Sequence, residues 1–81
     1  MELKIRLFAS LREAQGCDEV FLRVPGTVTV TTLRQLLAEQ YPSLKNLLES
    51  SRVAASLRFV PDQYLIAVPE EIAIIPPVSG G

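Results

Sequence analysis

The stretch "IIPPVSGG" holds the group in this chain whose chemistry stands out most, the carboxylate of Gly81. Pro76 and Pro77 carry no backbone N–H, so a strand ladder that reaches Ile75 cannot continue through them. Both prolines favour an extended, stiffened path. At full extension the chain from Ile75 to Gly81 reaches about 20 Å. Gly80 and Gly81 have no side chains, so backbone and carboxylate fit a narrow slot. The pattern reads as a probe. Pro76 and Pro77 make the stiff exit, and Val78, Ser79, Gly80 and Gly81 make the thin tip.

The remaining residues exclude most other chemistries. Histidine is absent, which removes Ser-His and Cys-His nucleophile pairs, imidazole bases and imidazole metal ligands together. Cys17 is the single cysteine, so no internal disulfide forms, and a reducing, cytoplasmic setting is expected. With Asp18 and Glu19 beside it, Cys17 reads as a small, inert residue rather than a sulfur relay. Glu13, Glu70 and Glu71 read as solvated surface. No metal-ligand cluster and no glycine-rich phosphate cradle stands in the sequence. The 8 basic and 9 acidic residues leave a net charge of −1. Such a balance argues against nucleic acid as partner. "MELKIRLF" is charged at Glu2, Lys4 and Arg6, unlike a signal peptide, and no apolar run reaches membrane-spanning length.

The elements that must position the tail are legible as periodicities. At 81 residues, 48% of them apolar, the chain makes one small domain with a genuine core. "ELKIRLFA" alternates as a half-buried strand, with Leu3, Ile5 and Leu7 on one face and Lys4, Arg6 and Phe8 on the other. "SLREAQG" supplies about one helical turn, stopped at Gly16. "DEVFLRV" alternates again, Val20, Leu22 and Val24 inward, before Pro25-Gly26 punctuates the chain. In "TVTVTTLRQLLAEQYP" a stripe through Val30, Leu33, Leu36, Leu37 and Gln40-Tyr41 predicts the main helix, capped by Thr29 or Thr31 and ended by Pro42. "SLKNLLES" adds a short turn, "RVAASLRFVP" a third strand, and "DQYLIAVP" a short edge strand or turn. "EEIAIIP" closes the fold. Its apolar residues from Ile72 to Ile75 suit a central strand covered on both faces.

A hairpin, a crossover helix and a final central strand make an α+β layer arrangement. It matches the β-grasp, or ubiquitin-like, fold: a mixed sheet of about five strands packed on one main helix. The expected division is a β-grasp domain over residues 1–75 and a tail over 76–81. If Leu3, Ile5 and Leu7 face the helix, Phe8 and Phe21 face the other way. Ile75 or Ala73 joins them from the central strand, with Phe59 nearby. An apolar sheet face beside the tail's exit reads as a partner-binding patch.

Three stretches, "LFASLREAQG", "TVTTLRQLLAEQYP" and "EIAIIPPVSGG", resemble the small subunits of molybdopterin synthase, a family of ubiquitin-like sulfur carriers. The chain departs from that family's pattern in "AASLRF", with Ser56 near the place in the third strand where an Asn is common. It departs again in "VPEEIA", where an acidic-glycine pair is common. The resemblance implies a route through Gly81. An adenylating enzyme of the ubiquitin-activating type uses ATP to form a glycyl adenylate. A sulfur-donor protein then displaces AMP, leaving a thiocarboxylate (1-thioglycine). That sulfur is donated to a pterin precursor held by a larger catalytic subunit, in a heterotetramer, to build a dithiolene. This chain would bind no cofactor itself and would not be an enzyme alone. The resemblance also implies that the face near Phe59 and Ile75, where facing already puts Phe8, meets both the large subunit and the adenylating enzyme, and that Arg12 makes a polar contact at the rim. Pro76, Pro77, Val78, Ser79 and Gly80 would insert into the partner's channel. Two other readings share the fold and the activated Gly81. One is a sulfur carrier for thiamin or cysteine synthesis, and the other is a modifier joined to lysines.

Overall fold

Strand β1 (Glu2–Leu7) buries Leu3, Ile5 and Leu7 and exposes Glu2, Lys4 and Arg6, as alternation requires. Helix α1 (Ala9–Gln15) follows and is about twice the expected length. It ends where Gly16 takes a left-handed φ of 83° and its N–H bonds to the Arg12 carbonyl at 2.8 Å. Strand β2 (Glu19–Arg23) pairs antiparallel with β1, setting Leu3 opposite Leu22 and Ile5 opposite Val20. A two-residue strand, β3 (Val28–Thr29), precedes the main helix α2 (Val30–Gln40). Of the two candidate caps Thr29 is the one used: its side chain accepts from the Thr32 N–H at 3.2 Å. Val30, Leu33 and Leu37 are buried and Leu36 is half-buried. Pro42 opens a 3-10 turn (Pro42–Leu44), which runs into the short helix α3 (Lys45–Leu48).

The computed structural model describes residues 1–77. Val78, Ser79, Gly80 and Gly81, the expected thin tip and its carboxylate, lie outside the described residues.

The expected third strand is a hairpin of two, β4 (Arg52–Ala55) and β5 (Arg58–Val60). Its turn is Ser56-Leu57, both with left-handed φ, 50° and 69°. Two-residue hairpin turns of this kind favour Asn-Gly, and a non-glycine residue there loses about 1–2 kcal/mol. The sequence therefore gives no turn signal at this point. Strand β6 (Leu65–Ile66) pairs with β3 as a separate two-stranded sheet. The last strand, β7 (Ile72–Ile75), runs parallel to β1 and antiparallel to β4. The main sheet thus has the order β2-β1-β7-β4-β5. This is the mixed five-stranded β-grasp sheet, with α2 on one face.

The core lies between that face and α2, built from Ile5, Leu22, Leu33, Leu37, Ile72, Ile74 and their neighbours. β7 is central but covered on one face only. Ile72 and Ile74 are buried, whereas Ala73 and Ile75 are half-buried on the open side. The expectation of cover on both faces fails because the 3-10 turn and α3, which follow α2, pack with it rather than on the far side of the sheet.

Glu70 also departs from its expected role as solvated surface. Its carboxylate accepts from the Ser56 hydroxyl at 2.7 Å and from the Tyr64 hydroxyl at 3.1 and 3.2 Å. The Glu71 carbonyl accepts from the Ser56 N–H at 2.9 Å. Ser56 and the Glu70-Glu71 pair are therefore bonded to each other and pin the tight turn.

Replacing Ile74 by Ala should destabilise the fold by about 2–5 kcal/mol in urea denaturation, the range for a deleted core side chain. The Glu70 contact gives a pH-dependent prediction. Tyr64 titrates above its usual value of 10.0, first because its hydroxyl bonds to Glu70, then through burial and the Glu70 charge, with Arg58 opposing. The folded state holds that proton more tightly than the unfolded chain. Its contribution is full below the unfolded value and is lost as pH rises through the folded one. The urea midpoint should fall between about pH 9 and pH 11, and Glu70→Gln should make that alkaline fall smaller.

Candidate functional site

The open face of the sheet is organised by register. One row runs across four strands: Arg6 opposite Ala73, Ala73 opposite Ala54, Ala54 opposite Phe59. Two alanines side by side leave a hollow where larger side chains would fill the surface. Phe59 stands on one side of it, 50% exposed, and Phe8 on the other, 39% exposed. Ile75 closes the end nearest the tail, and Leu57 and Glu71 complete a cleft of about 210 Å³.

Charged side chains edge the apolar floor. The Arg52 guanidinium lies 3.7 Å from the Phe59 ring centroid, a close cation–π contact. Arg52 is also opposite Ile75 in the β4–β7 register. Arg6 sits 5.8 Å from the Phe8 ring and 3.9 Å from the Glu71 carboxylate. Lys4 and Glu19 pair at 3.5 Å further along the same face. These ion pairs are exposed and add little stability; their effect is to mark the rim of the cleft with separated charges.

Phe8, Phe59 and Ile75 thus come together, although they arise in β1's continuation, β5 and β7. Ala73 lies between them, so both alternatives for the central strand line the cleft. Phe21 faces the same side but stands on the edge strand β2, opposite Lys4, and lines a separate shallow cleft with Pro69 and Glu70. Arg12 is exposed on α1, one turn beyond Phe8, and is not among the residues that line the cleft. Pro76 is half-buried and Pro77 exposed, and the ladder ends at Ile75.

Sequence reasoning missed four contributors. Ala54 and Leu57 went unseen because β4 and β5 read as one strand, which hides a second alternation. The Arg52–Phe59 stack depends on that hairpin. Glu71 read as solvated surface, yet it forms part of the cleft wall and pairs with Arg6. The signal that could have found them is the pair of alanines in "RVAASLRF", small residues in a strand otherwise flanked by bulk.

Cys17 is exposed, and its thiol donates to the Glu19 carbonyl at 3.3 Å. Among the described residues no group of three or more His, Cys, Asp or Glu is arranged to hold a metal ion. No helix there is long and apolar enough to cross a membrane.

The chain is similar along its whole length to known proteins. It is 37% identical to the molybdopterin synthase sulfur carrier subunit of Dictyostelium discoideum, across 99% of this chain and 96% of that protein. It is 32% identical to the corresponding subunit of Arabidopsis thaliana, across 100% of this chain and 84% of the plant protein. Among solved structures, SAMP1, the small archaeal modifier protein 1 of Haloferax volcanii, superimposes with a TM-score of 0.87 at 27% identity, covering 100% of both chains. The ThiS family pattern matches residues 5–81, tail included. By that match this chain belongs to the ThiS family, alongside the sulfur carrier subunits of molybdopterin synthase.

Proposed function

We propose that this protein is the sulfur carrier subunit of a molybdopterin synthase and that Gly81 carries the sulfur. As a member of its family it is a carrier rather than an enzyme on its own. The observation that carries the reading is the position of β7. The strand that leads to the tail ends at Ile75 in the wall of the apolar cleft. A partner seated on the cleft would therefore lie beside the point where the tail departs.

The chemistry follows from the carboxylate. It is a poor electrophile, because its carbonyl is electron-rich and its leaving group would be oxide. Adenylation by an ATP-using partner converts Gly81 to a mixed anhydride with AMP as leaving group. A persulfide donor attacks the acyl carbon and expels AMP. A thiol then cleaves the acyl disulfide and leaves the thiocarboxylate. That sulfur is anionic at neutral pH and attacks a pterin precursor held by the large subunit. Two sulfurs make one dithiolene, so the carrier is consumed and recharged. In this reading Phe8, Phe59 and Ile75 bind the large subunit and the adenylating enzyme in turn, and Arg12 meets them at the rim. Residues 1–75 are the folded domain, and Pro76 to Gly80 enter the partner's channel.

A second reading, a modifier joined to lysines, is favoured by the likeness to small archaeal modifier protein 1. It shares the adenylation step and differs in the acceptor.

Incubation with the cognate adenylating enzyme, ATP and a sulfur source, followed by intact-mass measurement, should show one oxygen replaced by sulfur. Recovery of the chain on lysines of other proteins would favour the modifier instead. Deleting Gly81 should abolish sulfur transfer and leave folding and partner binding intact; continued molybdopterin formation would sink the proposal. Phe59→Lys or Ile75→Lys should weaken binding of the large subunit by at least about tenfold in titration.

A further inference from the structure

We infer that Leu57, at the tip of the β4–β5 turn, is an anchor for the large subunit of the synthase, held in place by the Ser56–Glu70–Tyr64 bonds. The inference rests on the reading of the cleft as the docking surface for that subunit, and adds to it a residue outside the aromatic pair.

Three observations converge on Leu57. It is 88% exposed, so its side chain gains almost nothing from the folded chain's own core. Its φ of 69° lies in the left-handed region that glycine adopts freely and a leucine does not. It lines the same cleft as Phe8, Phe59 and Ile75, continuous with the surface assigned to the partner. A leucine that is both exposed and in a disfavoured conformation works against the isolated chain. Its side chain becomes useful when a partner's apolar surface covers it.

The surrounding structure points the same way. The non-glycine residues with left-handed φ among the described residues are Ala9, Ser56 and Leu57. Ala9 follows Phe8 directly, and Ser56 precedes Leu57, so the strained backbone is gathered at the two sides of the cleft. Strain of this kind collects where structure is held for binding. On the Leu57 side the holding bonds come from outside the hairpin. The Glu70 carboxylate takes the Ser56 hydroxyl at 2.7 Å, and Tyr64 bonds the same carboxylate. Ser56 N–H reaches the Glu71 carbonyl at 2.9 Å. Glu70 is therefore a positioning residue, acting on the partner through the turn.

The test uses the full chain and a purified molybdopterin synthase large subunit from the same genome. Leu57→Gly should leave the urea midpoint at or above the parent's, because glycine relieves the turn, and weaken binding by about tenfold. Leu57→Asn, which tolerates the same backbone, should weaken binding similarly. Unchanged affinity in both variants while Phe59→Lys still weakens binding would overturn the Leu57 assignment and leave the docking reading standing. Unchanged affinity in all three would overturn both. A midpoint well below the parent's for Leu57→Gly would assign the leucine to the chain's own packing and overturn the inference. Weaker capture by the adenylating enzyme alone would likewise overturn it.

Discussion

The pairing of β7 with β1 on one side and β4 on the other is the constraint on which the rest depends. Parallel register sets Ile5 opposite Ile72 and Leu7 opposite Ile74; antiparallel register sets Val53 opposite Ile74. Once those isoleucines face α2, period two sends Ala73 and Ile75 to the open face. A slip of one residue would bury Ala73 and expose Ile72 and Ile74. It would thin the core and fill the cleft floor at once. Core and candidate binding surface are therefore two sides of one register, and neither can be altered without the other.

That coupling explains what was legible from residues alone. The alternation in β1 and β2, the helical stripe ending at Pro42, the stop at Gly16 and the proline exit are local signals, each carried by adjacent residues. The Thr29 cap was narrowed to two threonines by type and decided by the Thr32 N–H, a contact within one turn. What was not legible is long-range. β3 and β6 are two residues each and exist because they pair across the chain. The Ser56-Leu57 turn lacks the asparagine and glycine that announce such turns. It is held by Glu70, 14 residues further on, with Tyr64 bonded to the same carboxylate. Without the turn, β4 and β5 merge into one strand, and the two faces of the second half cannot be assigned.

The candidate site was half visible for the same reason. Phe8 and Ile75 follow from alternation in single strands, and the tail from its prolines and glycines. Their convergence with Phe59 follows from sheet order, which no periodicity encodes. Phe21 faces the same way but stands outside the cleft, because β1 separates its strand from the β7–β4 floor. Arg12 stands on α1, outside the cleft lining.

The central position of β7 also has a mechanical meaning. A strand at a sheet edge can be peeled away one hydrogen bond at a time, like opening a zip. β7 has a ladder on each flank. A pull along the strand axis from beyond Ile75 would load both ladders in shear, with several bonds resisting together. Whatever draws on the residues beyond Ile75, the domain meets that pull at the strand with two flanking ladders.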